Sequence, residues 1–170
     1  MERFARLTLV AVILIACVGC DQTTKSLARA HLQGRGSASF FDDTLRLQYV
    51  ENPGAFLSLG ESLPQRLRTS LFTVGAGAAL AAVLLYAFLS SNAGPVQIIA
   101  LSLICGGGIG NLIDRLRYDG YVTDFLNMGI GALRTGIFNV ADVALMAGIA
   151  LFLFHQRRSE RGPLDPGRAA

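Results

Sequence analysis

Charge is what this 170-residue sequence has least of: 16% of it is Asp, Glu, Lys or Arg, while 52% is hydrophobic. Soluble domains carry about 25% charged residues, so the composition argues against a soluble protein and for a membrane one. Histidine is scarce too. The two present, His31 and His155, lie at opposite ends, which argues against a zinc hydrolase. The three cysteines, Cys17, Cys20 and Cys105, all fall in apolar segments; an odd count so placed makes neither a disulfide framework nor a spaced metal site. The formal net charge of +3 comes from scattered arginines, and without a basic run interleaved with aromatics nucleic acid is not an expected partner. No metal and no cofactor is expected.

The dominant feature present is a stretch without charge, from Thr69 to Ile113. One crossing of a bilayer core takes about 20 helical residues, so this is two spans. The polar, glycine and proline cluster Ser90-Ser91-Asn92-Ala93-Gly94-Pro95 divides them, because such residues end helices and turn the chain. The spans are expected over about 69–89 and 96–113. A first, over about 7–26, starts behind Arg3 and Arg6, and a fourth, over about 138–154, ends at His155-Gln156-Arg157-Arg158. Arginines at both ends favour two cytoplasmic termini, which an even number of spans permits. Residues 1–158 then form a single membrane domain, and 159–170, rich in Arg, Gly and Pro, a disordered cytoplasmic tail.

Between the first and second spans, Thr44-Leu45-Arg46-Leu47-Gln48-Tyr49-Val50 alternates with period two, the mark of a half-buried strand. Turn residues flank it, Asp42-Asp43 before and Asn52-Pro53-Gly54 after. A small antiparallel sheet on the membrane surface, over about 36–60, is expected. Gly131, Arg134, Thr135 and Gly136 read as a loop or short surface helix in the second outer segment. The fold class is a mainly α membrane protein of four transmembrane helices with a small antiparallel sheet.

Polar residues near membrane helices are costly enough that each invites a functional hypothesis, and by this topology they gather at one level. Asp21 and Lys25, four apart, have the spacing of an intrahelical ion pair. Asn111, Asp114 and Arg115 share a helical face, and Gly106-Gly107-Gly108-Ile109-Gly110 before them permits close approach of a helix or substrate. Asp124 and Asp142 each lie in a mostly apolar stretch with no basic neighbour in sequence. A loop between the last two spans could bring them together. Two carboxylates sharing a partly desolvated site do not both ionise easily, which is the acid and base arrangement of aspartic proteases. The bland alternative makes one a helix cap and pairs the other with Arg115. No Gly-x-Ser-x-Gly elbow or histidine-paired nucleophile competes with them.

Taken together, the motifs resemble those of the lipoprotein signal peptidases, signal peptidase II, of bacterial inner membranes. Asp21-Gln22-Thr23-Thr24-Lys25 is similar to the family's D-x-x-T-K, Asn52-Pro53-Gly54-Ala55 to its N-x-G-A, and Gly107-Gly108-Ile109-Gly110-Asn111-Leu112-Ile113-Asp114-Arg115 to its G-G-x-x-G-N-x-x-D-R. Val122-Thr123-Asp124-Phe125 and Phe138-Asn139-Val140-Ala141-Asp142 complete the set. The resemblance implies an aspartic endopeptidase that cuts prolipoproteins before a diacylglyceryl-modified cysteine, with the prolipoprotein and membrane lipid as partners and the site near the periplasmic face. It implies a periplasmic sheet cradling the substrate and a mobile surface helix over the site. Asp124 and Asp142 are then catalytic. Asn52, Gly54, Asn111, Asp114, Arg115 and Asn139 line or brace the site, and Asp21 and Lys25 support it from the first helix. A monomer is expected.

The chain departs from the pattern in two places. The family commonly reads N-x-G-A-A-F, whereas Phe56 here follows Ala55 directly, and the segment from Leu126 to Ile137 lacks the tryptophan and the proline that many members carry. Two other readings compete with the enzyme. Leu14-Ile15-Ala16-Cys17 fits a lipobox, with Val18-Gly19-Cys20-Asp21 a poorer second, so the chain could itself be a lipoprotein substrate. A non-enzymatic four-helix membrane protein would use the outer acids for binding, although transporters usually place their sites at mid-bilayer, where this chain has no acid or base.

Overall fold

The computed structural model describes residues 2–54, 62–90 and 93–160. Its helices are α1 (Arg3–Leu32), α2 (Gln65–Thr69), α3 (Ala76–Leu89), α4 (Pro95–Arg117) and α5 (Val140–Glu160). A π-helical segment, Ser70–Gly75, joins α2 to α3, so that Gln65–Leu89 forms one continuous helix. Arg3–Leu32, Gln65–Leu89, Pro95–Arg117 and Val140–Arg158 are each long and apolar enough to cross a membrane. They exceed the expected spans of 7–26, 69–89 and 96–113 because helical pairing of backbone groups continues past the apolar stretch, into residues that face the outer segments. The last begins at Val140 rather than 138, since Phe138 is committed to the sheet.

Local chemistry sets the helix starts. Pro95 opens α4 behind Gly94, where its fixed φ suits the first turn and its missing N–H costs nothing. At α5, Asn139 Oδ1 accepts the Asp142 N–H at 3.0 Å while Asp142 Oδ2 accepts the Asn139 N–H at 3.1 Å, a reciprocal capping box.

The helices close on one another through small residues. A Cβ on Gly107 would lie 2.2 Å from the Ala141 carbonyl oxygen of α5, and one on Gly110 would lie 2.6 Å from Asp21 Oδ2 of α1. The glycine run of α4 is therefore where α1 and α5 seat. At the far end of the bundle, Val10, Ala87, Ala93, Ile98 and Leu101 form a buried apolar cluster. Beside it the buried Arg6 reaches the carbonyl oxygens of Ser90 and, at 3.4 Å, Ala93, placing a cation at the C-terminus of α3, where the helix dipole favours one.

One antiparallel sheet, of order β1-β2-β3-β4, sits at the other end: β1 (Ala38–Phe40), β2 (Leu45–Asn52), β3 (Val122–Ile130) and β4 (Leu133–Arg134). The expected strand is β2, with Leu45 opposite Met128 and Asn52 opposite Val122. The expectation of a loop or surface helix around Gly131 to Gly136 is met as turn and loop at Gly131, Thr135 and Gly136 and is corrected at Arg134, where β3 and β4 form a hairpin with Gly129 opposite Arg134. Gly131 supplies the turn at φ +56°. Pairing with Arg134 of β4, together with the Gly129 N–H donated to the Thr44 carbonyl oxygen at 2.9 Å, outweighs the low strand propensity of Gly129, as tertiary context commonly does. The Ala55 and Phe56 register, the last part of the expected 36–60 sheet region and most of the 159–170 tail lie outside the described residues.

Candidate active site

Asp124 reaches the site from β3 and Asp142 from the first turn of α5, and both are buried, 2% and 9% exposed. They meet through amides. Asn139 Nδ2 donates to Asp124 Oδ1 at 2.6 Å and Asn52 Nδ2 donates to Asp124 Oδ2 at 2.8 Å. Asn111 Nδ2 donates to Asp142 Oδ1 at 2.8 Å. Each carboxylate thus has one bond to each oxygen, and Asn139 touches both residues. The helix-cap alternative and the paired-carboxylate reading turn out to be compatible, since Asp142 caps α5 with one oxygen and presents the other to Asn111.

A second layer of charge fixes the amides. Lys25, fully buried, donates from Nζ to Asn111 Oδ1 at 2.8 Å and pairs with Asp21 at 2.9 Å and Asp114 at 3.4 Å. Asp114 also accepts the Thr123 N–H at 3.0 Å, one residue before Asp124. Asp21 accepts the Ala141 N–H at 3.0 Å, one residue before Asp142. The two supporting acids therefore hold the backbone beside the two candidate catalytic ones. Buried charges persist only when paired and hydrogen-bonded in this way.

Arg115 does not pair with either candidate aspartate. Its Nη2 donates to the Gly54 carbonyl oxygen at 2.9 Å and its Nη1 to that of Asn111 at 3.2 Å, while Gly54 N–H donates to Asn52 Oδ1 at 2.9 Å. Arg115 and Gly54 together orient Asn52, which in turn orients Asp124. All ten residues singled out in the sequence join this one network. Two members were overlooked: Arg29, 3.1 Å from Asp114 with its guanidinium 4.0 Å over the Tyr118 ring, and Gln22, which bonds Asp21, Gly110 and Asp114. The signal for Arg29 was its place four residues beyond Lys25, on the same helical face.

Burial pushes the Asp124 carboxyl up to about 6; hydrogen bonds from Asn52 and Asn139 and the charge of Lys25 oppose the rise, and the charge of Asp142 adds to it. Asp124 thus titrates near neutrality, as a group working in acid-base chemistry does. Asp142 also lines an apolar cavity of about 740 Å³ that runs along α5 past Val143, Met146 and Ala150.

The family model for signal peptidase II matches residues 13–157. The lipoprotein signal peptidase of Paraburkholderia phymatum is 38% identical over 90% of this chain and 88% of its own length. That of Syntrophus aciditrophicus is 34% identical over 78% and 81%. A solved structure described as a bacterial membrane enzyme, determined by the in meso method, superposes with a TM-score of 0.76 at 25% identity, covering 89% of this chain and 88% of that one.

Proposed function

The chain belongs to the signal peptidase II family, aspartic peptidases that remove signal peptides from prolipoproteins, and from that premise we propose that Asp124 and Asp142 are its catalytic pair. The observation that carries this reading is the convergence of two buried carboxylates, from separate elements, on a shared amide network. The pair holds one proton. Its ionised member takes a proton from a water held between them, and the water oxygen attacks the scissile carbonyl carbon. The protonated member hydrogen-bonds the carbonyl oxygen as negative charge grows there. Return of a proton to the leaving amine then breaks the C–N bond. The resting proton belongs to the coupled pair rather than to either residue.

Asn52, Asn111 and Asn139 hold the carboxylates in place, braced by Gly54 and Arg115 on one side and by Asp21, Lys25 and Asp114 on the other. The substrate is a prolipoprotein whose cysteine carries diacylglycerol, cut just before that cysteine and delivered through the lipid. The enzyme works as a monomer in a bacterial inner membrane, with both termini cytoplasmic and the pair near the periplasmic face.

The test is a gel-shift assay on a purified diacylglyceryl-modified prolipoprotein in detergent. Asp124→Asn and Asp142→Asn, each with a cooperative unfolding transition like that of the wild type, are expected to lose about a thousandfold or more in cleavage rate. Cleavage surviving in both folded variants would sink the aspartic pair.

A further inference from the structure

The end of the sheet farthest from Asp124 is apolar and bare. Phe41, Ile130 and Leu133 are 79%, 81% and 84% exposed, and Phe40 and Met128 nearly half. The register gathers them: Phe40 lies opposite Leu45, Leu45 opposite Met128, and Ile130 opposite Leu133. Directly opposed residues share a face of a sheet, as do alternate residues of one strand, so these side chains make one surface with Phe41 at its tip. A charged rim stands directly behind it. Arg46 pairs with Asp43, and Arg134 donates to the Asp43 carbonyl oxygen at 2.7 Å. An exposed apolar patch rimmed by polar groups marks a contact surface.

Two features identify that contact as lipid. The sheet is fastened to the ends of membrane-spanning helices, with the Thr123 N–H held by Asp114 of α4. It also overhangs the bundle: Arg134 and Thr135 of the hairpin line the same cavity as Met146 and Ala150 of α5. At 1.5 Å per residue, Ala150 lies about 12 Å along the helix from Asp142. A hairpin standing away in water would share no cavity with that depth of a span. The hairpin that carries Ile130 and Leu133 therefore reaches, through Arg134 and Thr135, the flank of α5 where Val143 and Met146 are about half exposed.

We propose that this end of the sheet is a membrane anchor, with Phe41, Ile130 and Leu133 seated in the leaflet next to the site and Arg46 and Arg134 at the level of its headgroups. Apolar side chains at an interface bury in the acyl boundary while long basic ones reach back to polar groups. The occupant is the lipid surface itself. The anchor requires that the four helices span, not that Asp124 and Asp142 are catalytic, so its failure and the failure of the peptidase reading are separate results.

The chain has no tryptophan, so a single introduced indole reports alone. Phe41→Trp and Leu133→Trp, in the full chain reconstituted in lipid nanodiscs without substrate, are compared with Leu89→Trp, a lipid-facing control that is 75% exposed in the bundle. The expected result is blue-shifted emission from both, with loss of intensity in brominated lipid matching that of the control and no quenching by aqueous iodide. Quenching by iodide and not by brominated lipid at both positions would overturn the anchor. Lipid quenching that appears only after a diacylglyceryl prolipopeptide is added would also overturn it, and would make the patch a substrate surface instead.

Discussion

Asn139 carries out tasks at the site that no single alternative side chain repeats. Its carbonyl caps α5 through the Asp142 N–H, and its amide nitrogen donates to Asp124 and, at 3.1 Å, to Asn111. Aspartate would keep the cap and lose the donor; alanine would lose both. The effect on Asp124 is to keep a costly carboxylate supplied with donors, and the cost is visible in its titration. The folded group titrates at about 6 against an ordinary 3.8, so the native state holds this proton more tightly than the unfolded chain does. That contribution to stability is fully present below about pH 4 and lost as pH rises through about 6. Asp124→Asn has no such proton to lose. The stability of the variant relative to wild type is expected to rise between pH 4 and pH 7 and then to level off. Unfolding in detergent across that range checks this. A difference between the two proteins that stays flat with pH would show that Asp124 is not held in a desolvated site.

At the level of elements, α4 is the post against which α1 and α5 stand, and the glycines make that contact possible. Gly107 and Gly77 separate the effect of contact from that of helix propensity. A Cβ at Gly107 meets backbone at 2.2 Å, whereas one at Gly77 meets only the Leu112 Cδ2 at 3.7 Å. Gly107→Val is expected to lose about 1–3 kcal/mol through overpacking. It also lowers cleavage, because it displaces Ala141 and with it Asp142. Gly77→Ala is expected to be neutral or to gain up to about 1 kcal/mol from helix propensity. Thermal unfolding and the cleavage assay on both variants test the pair; equal losses would mean that the glycine run is not the helix contact. What was legible in the sequence divides along similar physical lines. The charge-free stretch and its glycine and proline break gave the spans, and period-two alternation gave β2. The hairpin of β3 and β4 was not legible, because its glycines read locally as loop and its partner strand lies about 80 residues away in the chain. The grouping of Asp124 with Asp142 was legible from motif and burial cost. Its amide scaffold was not, since which nitrogen serves which oxygen is decided by tertiary geometry alone.

The whole molecule is polarised along the bundle. Arg6 and Lys25 are both buried on α1, and at 1.5 Å per residue they lie about 29 Å apart, close to the hydrocarbon thickness of a bilayer. Each marks a boundary: Arg6 closes the turn after α3 on one side, and Lys25 centres the site on the other. From Leu7 to Cys20 the first span carries no Asp, Glu, Lys or Arg, and its charged groups begin again at Asp21, on the side of the site. This arrangement demands that Glu2 and Gln156 share one side and that Ser37, in the turn between α1 and β1, face the opposite one. In a background with Cys17, Cys20 and Cys105 replaced by alanine, a membrane-impermeant maleimide applied to right-side-out inner-membrane vesicles is expected to label Ser37→Cys at once. Glu2→Cys and Gln156→Cys should be labelled only after detergent is added. The reverse pattern would invert the orientation proposed for the site while leaving the four spans intact. Labelling that separated Glu2→Cys from Gln156→Cys would break the four-span count itself, because only an even number of crossings returns both ends of the chain to one side.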